Sequence, residues 1–145
     1  MIRRLMIAAL VLLTFVANAE ARNDTYYLSN ADVMNDPGFK QLGSNVALYF
    51  ADQTPPKIAQ NLGAFVGNKI AKTRGESDEQ WCKEAALGAL GELRDEAISR
   101  GGDAVINIQS SWKGNPIADK TKYECHAGGT GGHISLEGTI VKRAK

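Results

Sequence analysis

The 145-residue sequence carries 17 basic and 16 acidic side chains, giving a formal net charge of +1, with 43% hydrophobic residues. A length of this order fits one small domain, and a nearly neutral chain lacks the basic surface that binds nucleic acid. Only two cysteines and two histidines are present, which excludes a four-cysteine zinc finger, and the cysteines form no Cys-x-x-Cys redox pair.

The first 19 residues have the organisation of a secretory signal peptide. Arg3 and Arg4 precede an apolar run, and Ala17-Asn18-Ala19 provides a small-x-small cleavage site. The run is shorter than the roughly 20 residues of a transmembrane helix. We predict cleavage after Ala19, with Ala21 as the alternative, and a single domain at 20–145 in the periplasm; export past the outer membrane is left open. Cleavage would remove Arg3 and Arg4, so the mature chain would carry 15 of the 17 basic residues and all 16 acidic residues.

The region before residue 73 is predicted to be an irregular N-terminal section with short elements. In chain order, the pattern predicts an edge strand at 25–28, a short helical turn at 31–34 capped by Ser29 or Asn30, a turn at Asp36-Pro37-Gly38, a strand at 46–50, a short helical connection at 57–62 and a strand at 65–73.

The best-supported element is a long helix at 77–100. Ser77 and Gln80 form a capping box that begins it, and Gly101 with Gly102 ends it. Its interior glycines, at 88 and 91, are predicted to let the helix lie close to a sheet. Apolar residues recur at steps of three and four and form one stripe: Cys82, Ala86, Ala89, Leu90, Leu93 and Ala97.

Three more strands are predicted after this helix, at 104–112, 121–127 and 133–142. In the first of them, alternation places Ala104, Ile106, Ile108 and Trp112 on one face. Strands grouped after a helix indicate the α+β class. We therefore expect a small antiparallel sheet with one main helix packed on a face, in the order β-α-β-β-β, preceded by the irregular N-terminal section.

A disulfide bond between Cys82 and Cys125 is expected from the compartment and from the periodicity. Cys82 lies on the apolar stripe of the helix, and Cys125 alternates with Tyr123 and Ala127 on the apolar side of a strand. Both sulfur atoms should therefore point into the interface between helix and sheet. An exported chain favours oxidation of such a pair.

The two histidines, His126 and His133, flank a glycine-rich hairpin connection at 128–132. If residues 127 and 132 face each other, His126 and His133 also do, and their Cβ atoms lie about 5 Å apart on the outer face. Paired imidazoles suit Zn, Cu or Ni, but a structural zinc site needs four ligands. Two interpretations stay open: a transition-metal site, or surface histidines beside a loop.

Several segments carry a family resemblance. The helix at 85–100, the following Gly101-Gly102-Asp103-Ala104-Val105-Ile106 and the late Gly138-Thr139 resemble the YbjQ and RcsF-like group over about residues 73–141. This resemblance implies a small α+β domain; RcsF is a disulfide-containing envelope-stress sensor lipoprotein, and YbjQ-type domains are described as heavy-metal-binding. The whole mature chain, 20–145, also looks like a set of small exported bacterial proteins of unknown function that share the motifs at 26–28, 49–53 and 123–128.

Proteins of that exported set are often labelled as a component of the ABC excinuclease, a function that this sequence does not favour. It has no G-x-x-x-x-G-K-[ST] loop for nucleotide binding, and it also lacks the G-x-S-x-G motif of a hydrolase. We expect a non-catalytic periplasmic module that binds an envelope protein or a small ligand. The alternatives are metal binding through His126 and His133 and a small enzyme of an unrecognised class. The oligomeric state is not predicted.

Overall fold

The structure is a computed structural model that describes residues 21–145. The predicted signal peptide at 1–19 lies outside the described residues. Within 21–145, no helix combines the length and apolar character needed to cross a membrane. The elements of this region are β1 (Asn23–Ser29), α1 (Asn30–Met34), α2 (Pro37–Leu42), β2 (Ala47–Phe50), β3 (Ile58–Ala71), α3 (Asp78–Ser99), β4 (Ala104–Trp112), β5 (Asn115–Pro116), β6 (Lys122–Gly128) and β7 (Gly131–Arg143).

The strands form a sheet in the order β1-β6-β7-β4-β2, β3 pairs with the other edge of β7, and the two-residue β5 pairs with the end of β4. On the edge opposite β3, β7 pairs with β6 over residues 131–133 and then with β4 from Leu136 to Val141. Most pairs are antiparallel, but β2 and β4 are parallel. The α+β class agrees with the expectation, whereas the sheet is mixed and larger than predicted.

The N-terminal section is more regular than the sequence pattern indicated. The predicted helical connection at 57–62 is wrong, because this segment is the start of the 14-residue strand β3. Its side chains show no clean alternation, since the register against β7 shifts twice, between Ile58 and Gln60 and between Asn61 and Ala64. The predicted turn at 36–38 is instead the beginning of α2, with Asp36 as its cap and Pro37 in the first turn.

The long helix agrees with its prediction. The side chain of Ser77 accepts a hydrogen bond from the backbone N–H of Gln80 at 3.2 Å, and Gly101 beyond the last turn has φ +73°. All three helices among the described residues contribute to one main core on the inner face of the sheet. The predicted bond between Cys82 and Cys125 lies in this core, and both residues have no exposed surface.

Strand β4 contains a bulge, so its side chains do not point to the faces that the sequence predicted. The register against β7 shifts between Ile106 and Gln109, and Asn107 adopts φ +53°. Val105 and Ile108 therefore both enter the main core, whereas Ala104 and Ile106 pack on the opposite face. The expectation that Ala104, Ile106 and Ile108 share a face is wrong, because one extra residue inverts the alternation of a strand.

Close packing of α3 on the sheet depends on glycines of the strands. A Cβ atom at Gly67 of β3 would lie 2.5 Å from the carbonyl oxygen of Ala89. The interior helix glycines differ from each other: a Cβ at Gly88 would lie 2.6 Å from Cγ of Lys69, whereas at Gly91 the nearest atom is 3.7 Å away. The predicted role in close approach therefore fits Gly88 and is wrong for Gly91.

Replacing both Cys82 and Cys125 by alanine should lower the free energy of unfolding by about 4 kcal/mol, because the bond closes a loop of 43 positions in the unfolded chain. Equilibrium unfolding in urea, with and without a reductant, measures this loss. The double variant serves as the control, since the reductant should not change its midpoint. An unchanged midpoint for the native chain after reduction would contradict the prediction.

Gly67→Ala and Gly91→Ala should change stability in opposite directions. At position 67 the new methyl group meets backbone of α3, which should cost about 1–3 kcal/mol. At position 91 the methyl group makes an ordinary contact and raises helix propensity, which should add up to about 1 kcal/mol. Thermal unfolding of the two variants tests the pair; equal midpoints would show that α3 can move away from β3.

Candidate functional site

The two histidines lie side by side on the outer face of the sheet, which we define as the face opposite α3. Strands β6 and β7 pair His126 with His133 and Ala127 with Gly132, so the predicted register is confirmed. Cys125 and Ile134, their neighbours along the strands, belong to the main core on the inner face. Successive side chains of a strand point to opposite faces. Both imidazoles are therefore separated by the sheet from the disulfide bond, and Cys125 is not available to them as a ligand.

Trp112 joins this histidine pair. Its ring stacks on the ring of His126 with centroids 3.9 Å apart and an angle of 19° between the planes. The same ring meets His133 edge-on, at a centroid distance of 6.5 Å. The contact arises where β4 reaches its last residue and β6 takes over the edge of β7. The alternation of residues within a strand does not predict this contact. The contact depends on where β4 and β6 meet, and these strands are not consecutive in the chain.

Polar side chains orient both imidazole rings. His126 contacts Glu124 through Nε2 at 3.1 Å and Thr25 through Nδ1 at 3.3 Å, and His133 contacts the hydroxyl of Thr130 through Nε2 at 2.7 Å. The His126 side chain keeps only 12% of its surface exposed. Within residues 21–145, no group of three or more His, Cys, Asp or Glu side chains is arranged to hold a metal ion.

Two grooves meet at this cluster. One, of about 260 Å³, is lined by Trp112, His126, His133 and Thr130 together with the start of the described chain. The other, of about 500 Å³, is lined by Trp112, His133, residues of β3 that include Ile70, and Glu92 of α3, so it reaches past β3 to the helix. Because Trp112 and His133 line both, the aromatic cluster forms the centre of one continuous, shallow surface.

Large apolar side chains are exposed around this centre. Tyr27 of β1 and Ile70 of β3 are each 56% exposed, and Val66 of β3 is 38% exposed. Their strand partners are Glu124, His133 and Glu137, which puts all three side chains on the outer face. We name the surface formed by Tyr27, Val66, Ile70, Trp112, His126 and His133 the outer-face patch.

A compact charge cluster lies at the start of α3. Arg22 donates hydrogen bonds to both carboxylate oxygens of Asp78, and the Tyr26 hydroxyl donates to Asp78 at 2.8 Å. These bonds hold the pKa of Asp78 below its usual value, and the bond to Asp78 raises the pKa of Tyr26. The cluster ties the chain that enters β1 to the first turn of the helix, which is a structural role.

Neither a scan against protein-family models nor a search of curated proteins gave a match for this chain.

Proposed function

We propose that this chain is a non-catalytic binding module of the bacterial periplasm that holds a protein of the cell envelope on its outer-face patch. The observation that carries the proposal is the exposure of Tyr27 and Ile70 on either side of the Trp112–His126 stack. Contiguous exposed apolar surface on a small soluble domain marks an interaction site. The patch lies on the one face of the sheet against which no helix of the described residues packs.

A protein suits this surface better than a small ligand. The patch extends from β1 across β6 and β7 to β3, a width of about 14 Å at the usual spacing of strands. Its grooves are shallow and open, whereas small-molecule sites enclose most of their ligand. Aromatic side chains at the centre with polar residues around them, here Glu124 and Asn68, are typical of protein interfaces.

The proposed compartment rests on two supports. A disulfide bond buried in the core is compatible with an oxidising environment, since cytosolic proteins seldom keep such bonds. The sequence pattern of residues 1–19 independently predicts export. Membership of the YbjQ and RcsF-like group is part of the same proposal, and it rests on the motifs of the sequence alone.

Photocrosslinking in living cells tests the patch. A benzophenone amino acid placed at position 70 of the full chain should give a covalent adduct with another envelope protein, and the adduct should disappear in a Tyr27→Glu background. The matched control is position 98, because Ile98 is 53% exposed but lies on α3. Adducts at position 98 and not at 70, or an adduct with the mass of two copies of this chain, would contradict the proposal.

Metal binding is the second candidate, favoured by the direct pairing of His126 with His133 across two strands. Zn or Cu would be held by the two imidazoles, with Glu124 as the nearest carboxylate. Binding would have to replace a contact of His126, because Glu124 and Thr25 occupy both of its ring nitrogens. Two nitrogen ligands suit Cu or Zn in type but leave further positions of either ion to solvent.

A copper titration followed by tryptophan fluorescence tests this candidate. Trp81 and Trp112 are the two tryptophans of the chain, so Trp81→Phe isolates the ring that stacks on His126. Bound Cu²⁺ should quench Trp112 at micromolar concentrations, and His126→Ala or His133→Ala should weaken the quenching at least tenfold. Zn²⁺ should compete with Cu²⁺. Equal quenching in the native chain and in the His126→Ala variant would rule out a site at this pair.

A further inference from the structure

Strand β1 is an edge strand with one open side. Within the described residues it pairs only with β6, and the register between the two strands contains no shift. The backbone N–H of Asn30, just beyond β1, donates to the carbonyl oxygen of Thr121 at 2.9 Å, which continues the same register. Successive residues of an antiparallel strand turn their N–H and C=O groups to opposite edges. Thr25 and Tyr27 therefore turn these groups away from β6.

A second hydrogen bond supports this orientation. Glu124 lies opposite Tyr27 in the register, yet its backbone N–H donates to the Ser110 hydroxyl of β4 at 2.7 Å. Tyr27 and Glu124 are thus a pair that exchanges no backbone hydrogen bonds, and the backbone of Tyr27 faces outward. Among residues 21–145, the outward N–H and C=O groups of Thr25 and Tyr27 have no hydrogen-bond partner.

The other edges of the described sheet are protected. Side chains of Glu92 and Arg100 bond to the backbone of β3. Strand β2 has only four residues, and the backbone N–H of Phe50 donates to the side chain of Gln53 at 2.8 Å. In contrast, β1 has seven residues and contains neither proline nor lysine, two residue types that commonly block pairing at an edge. Its open edge is therefore suited to another strand.

The sequence of β1 is complementary to itself. A two-fold axis between two copies pairs their identical strands in the antiparallel direction. With the axis at Tyr26, Thr25 of one copy lies opposite Tyr27 of the other, and each such pair exchanges two hydrogen bonds. On the outer face, a β-branched side chain then lies beside an aromatic ring, which is a favourable combination. Asp24, the one charged residue of the strand, lies opposite Leu28 and about 13 Å along the strand from its counterpart, so like charges do not meet.

We propose that two copies of this chain associate through β1, antiparallel about a two-fold axis at Tyr26, so that their two sheets become one. Each copy already holds this strand extended against β6, so pairing orders no flexible segment, whereas a peptide of another protein would lose conformational entropy on binding. One pair of seven-residue strands gives an interface at the low end of interface sizes, below about 1,200 Å². We therefore expect a reversible dimer of micromolar affinity.

This dimer does not depend on the function proposed for the outer-face patch. Paired residues of neighbouring strands lie on the same face of a sheet, so the patches of both copies face the same side of the joined sheet. Ile70 lies three strands from β1, about 14 Å away, in the row Ile70–His133–His126–Thr25. A crosslinker at position 70 is therefore too far from the second copy to report this pairing.

Sedimentation velocity of the chain at 20–145, from about 5 to 500 µM, tests the proposal, and the sedimentation coefficient should rise from the monomer to the dimer value. Thr25→Pro removes the outward N–H, and proline is tolerated where the N–H of an edge strand faces solvent. Because the symmetry removes two hydrogen bonds at once, the Kd should rise at least about tenfold. The matched control is Thr25→Val, which also loses the hydroxyl contact to His126 but keeps the N–H; it should dimerise as the native chain does.

A disulfide test reports the register without proline. Tyr26→Cys places a thiol on the two-fold axis, opposite its counterpart, and should give a covalent dimer on mild oxidation. Asp24→Cys should not, because its counterpart lies about 13 Å away, beyond the span of a disulfide. Non-reducing electrophoresis compares the two variants.

Three results would overturn the proposal. A native chain that keeps the monomer value up to about 500 µM would leave the edge to a segment of another protein. Equal dimerisation of Thr25→Pro and Thr25→Val would place the contact between copies elsewhere. A covalent dimer of Asp24→Cys that forms as fast as that of Tyr26→Cys would exclude the register about Tyr26.

Discussion

The close contact of α3 with the inner face of the sheet is the constraint on which the rest of this structure depends. The helix approaches β3 until a single methyl group at Gly67 would meet its backbone, and the bond from Cys82 to Cys125 joins it covalently to β6. With Cys125 held inward, the alternation of a strand turns His126 outward. The inner core and the outer-face patch are thus two consequences of one contact.

The long strand β7 determines where the patch is formed. One edge of β7 pairs with β3 along its length, while the other edge pairs first with β6 and then with β4. Two strands that share one edge must meet end to end, and Trp112 is the last residue of β4 at that meeting point. Its ring stacks there on the ring of His126 of β6.

Strand β3 lies at an edge of the sheet, but α3 already bonds to the backbone of that edge. A partner is therefore expected on the face of the sheet and not beside β3. A long exposed edge strand invites pairing with another chain. Here side chains of α3 occupy that edge: Glu92 accepts from the backbone N–H of Asn68 at 2.9 Å, and Arg100 donates to the carbonyl oxygens of Leu62 and Ala64 at 3.1 and 3.2 Å. Addition of a strand would have to displace these bonds, whereas Tyr27, Val66 and Ile70 of the outer-face patch are already exposed.

Elements with strong local signals could be read from the sequence by itself. Helix α3 has its cap, its apolar stripe and its glycine stop within about twenty residues, and the hairpin of β6 and β7 is short enough for its register to follow from symmetry about the glycines. The inward direction of Cys82 and Cys125 followed from these two local patterns, and the pairing followed from their directions.

Features that depend on distant partners were decided only by the tertiary structure. The segment at 58–62 is a strand because β7 pairs with it, and its own residues carry no alternation. The bulge at Asn107 brings both Val105 and Ile108 into the main core, and no local pattern indicates it. Trp112 and His126, which stack on each other, come from separate strands. Periodicity describes the neighbours of a residue along the chain, whereas these sites are made by neighbours in space.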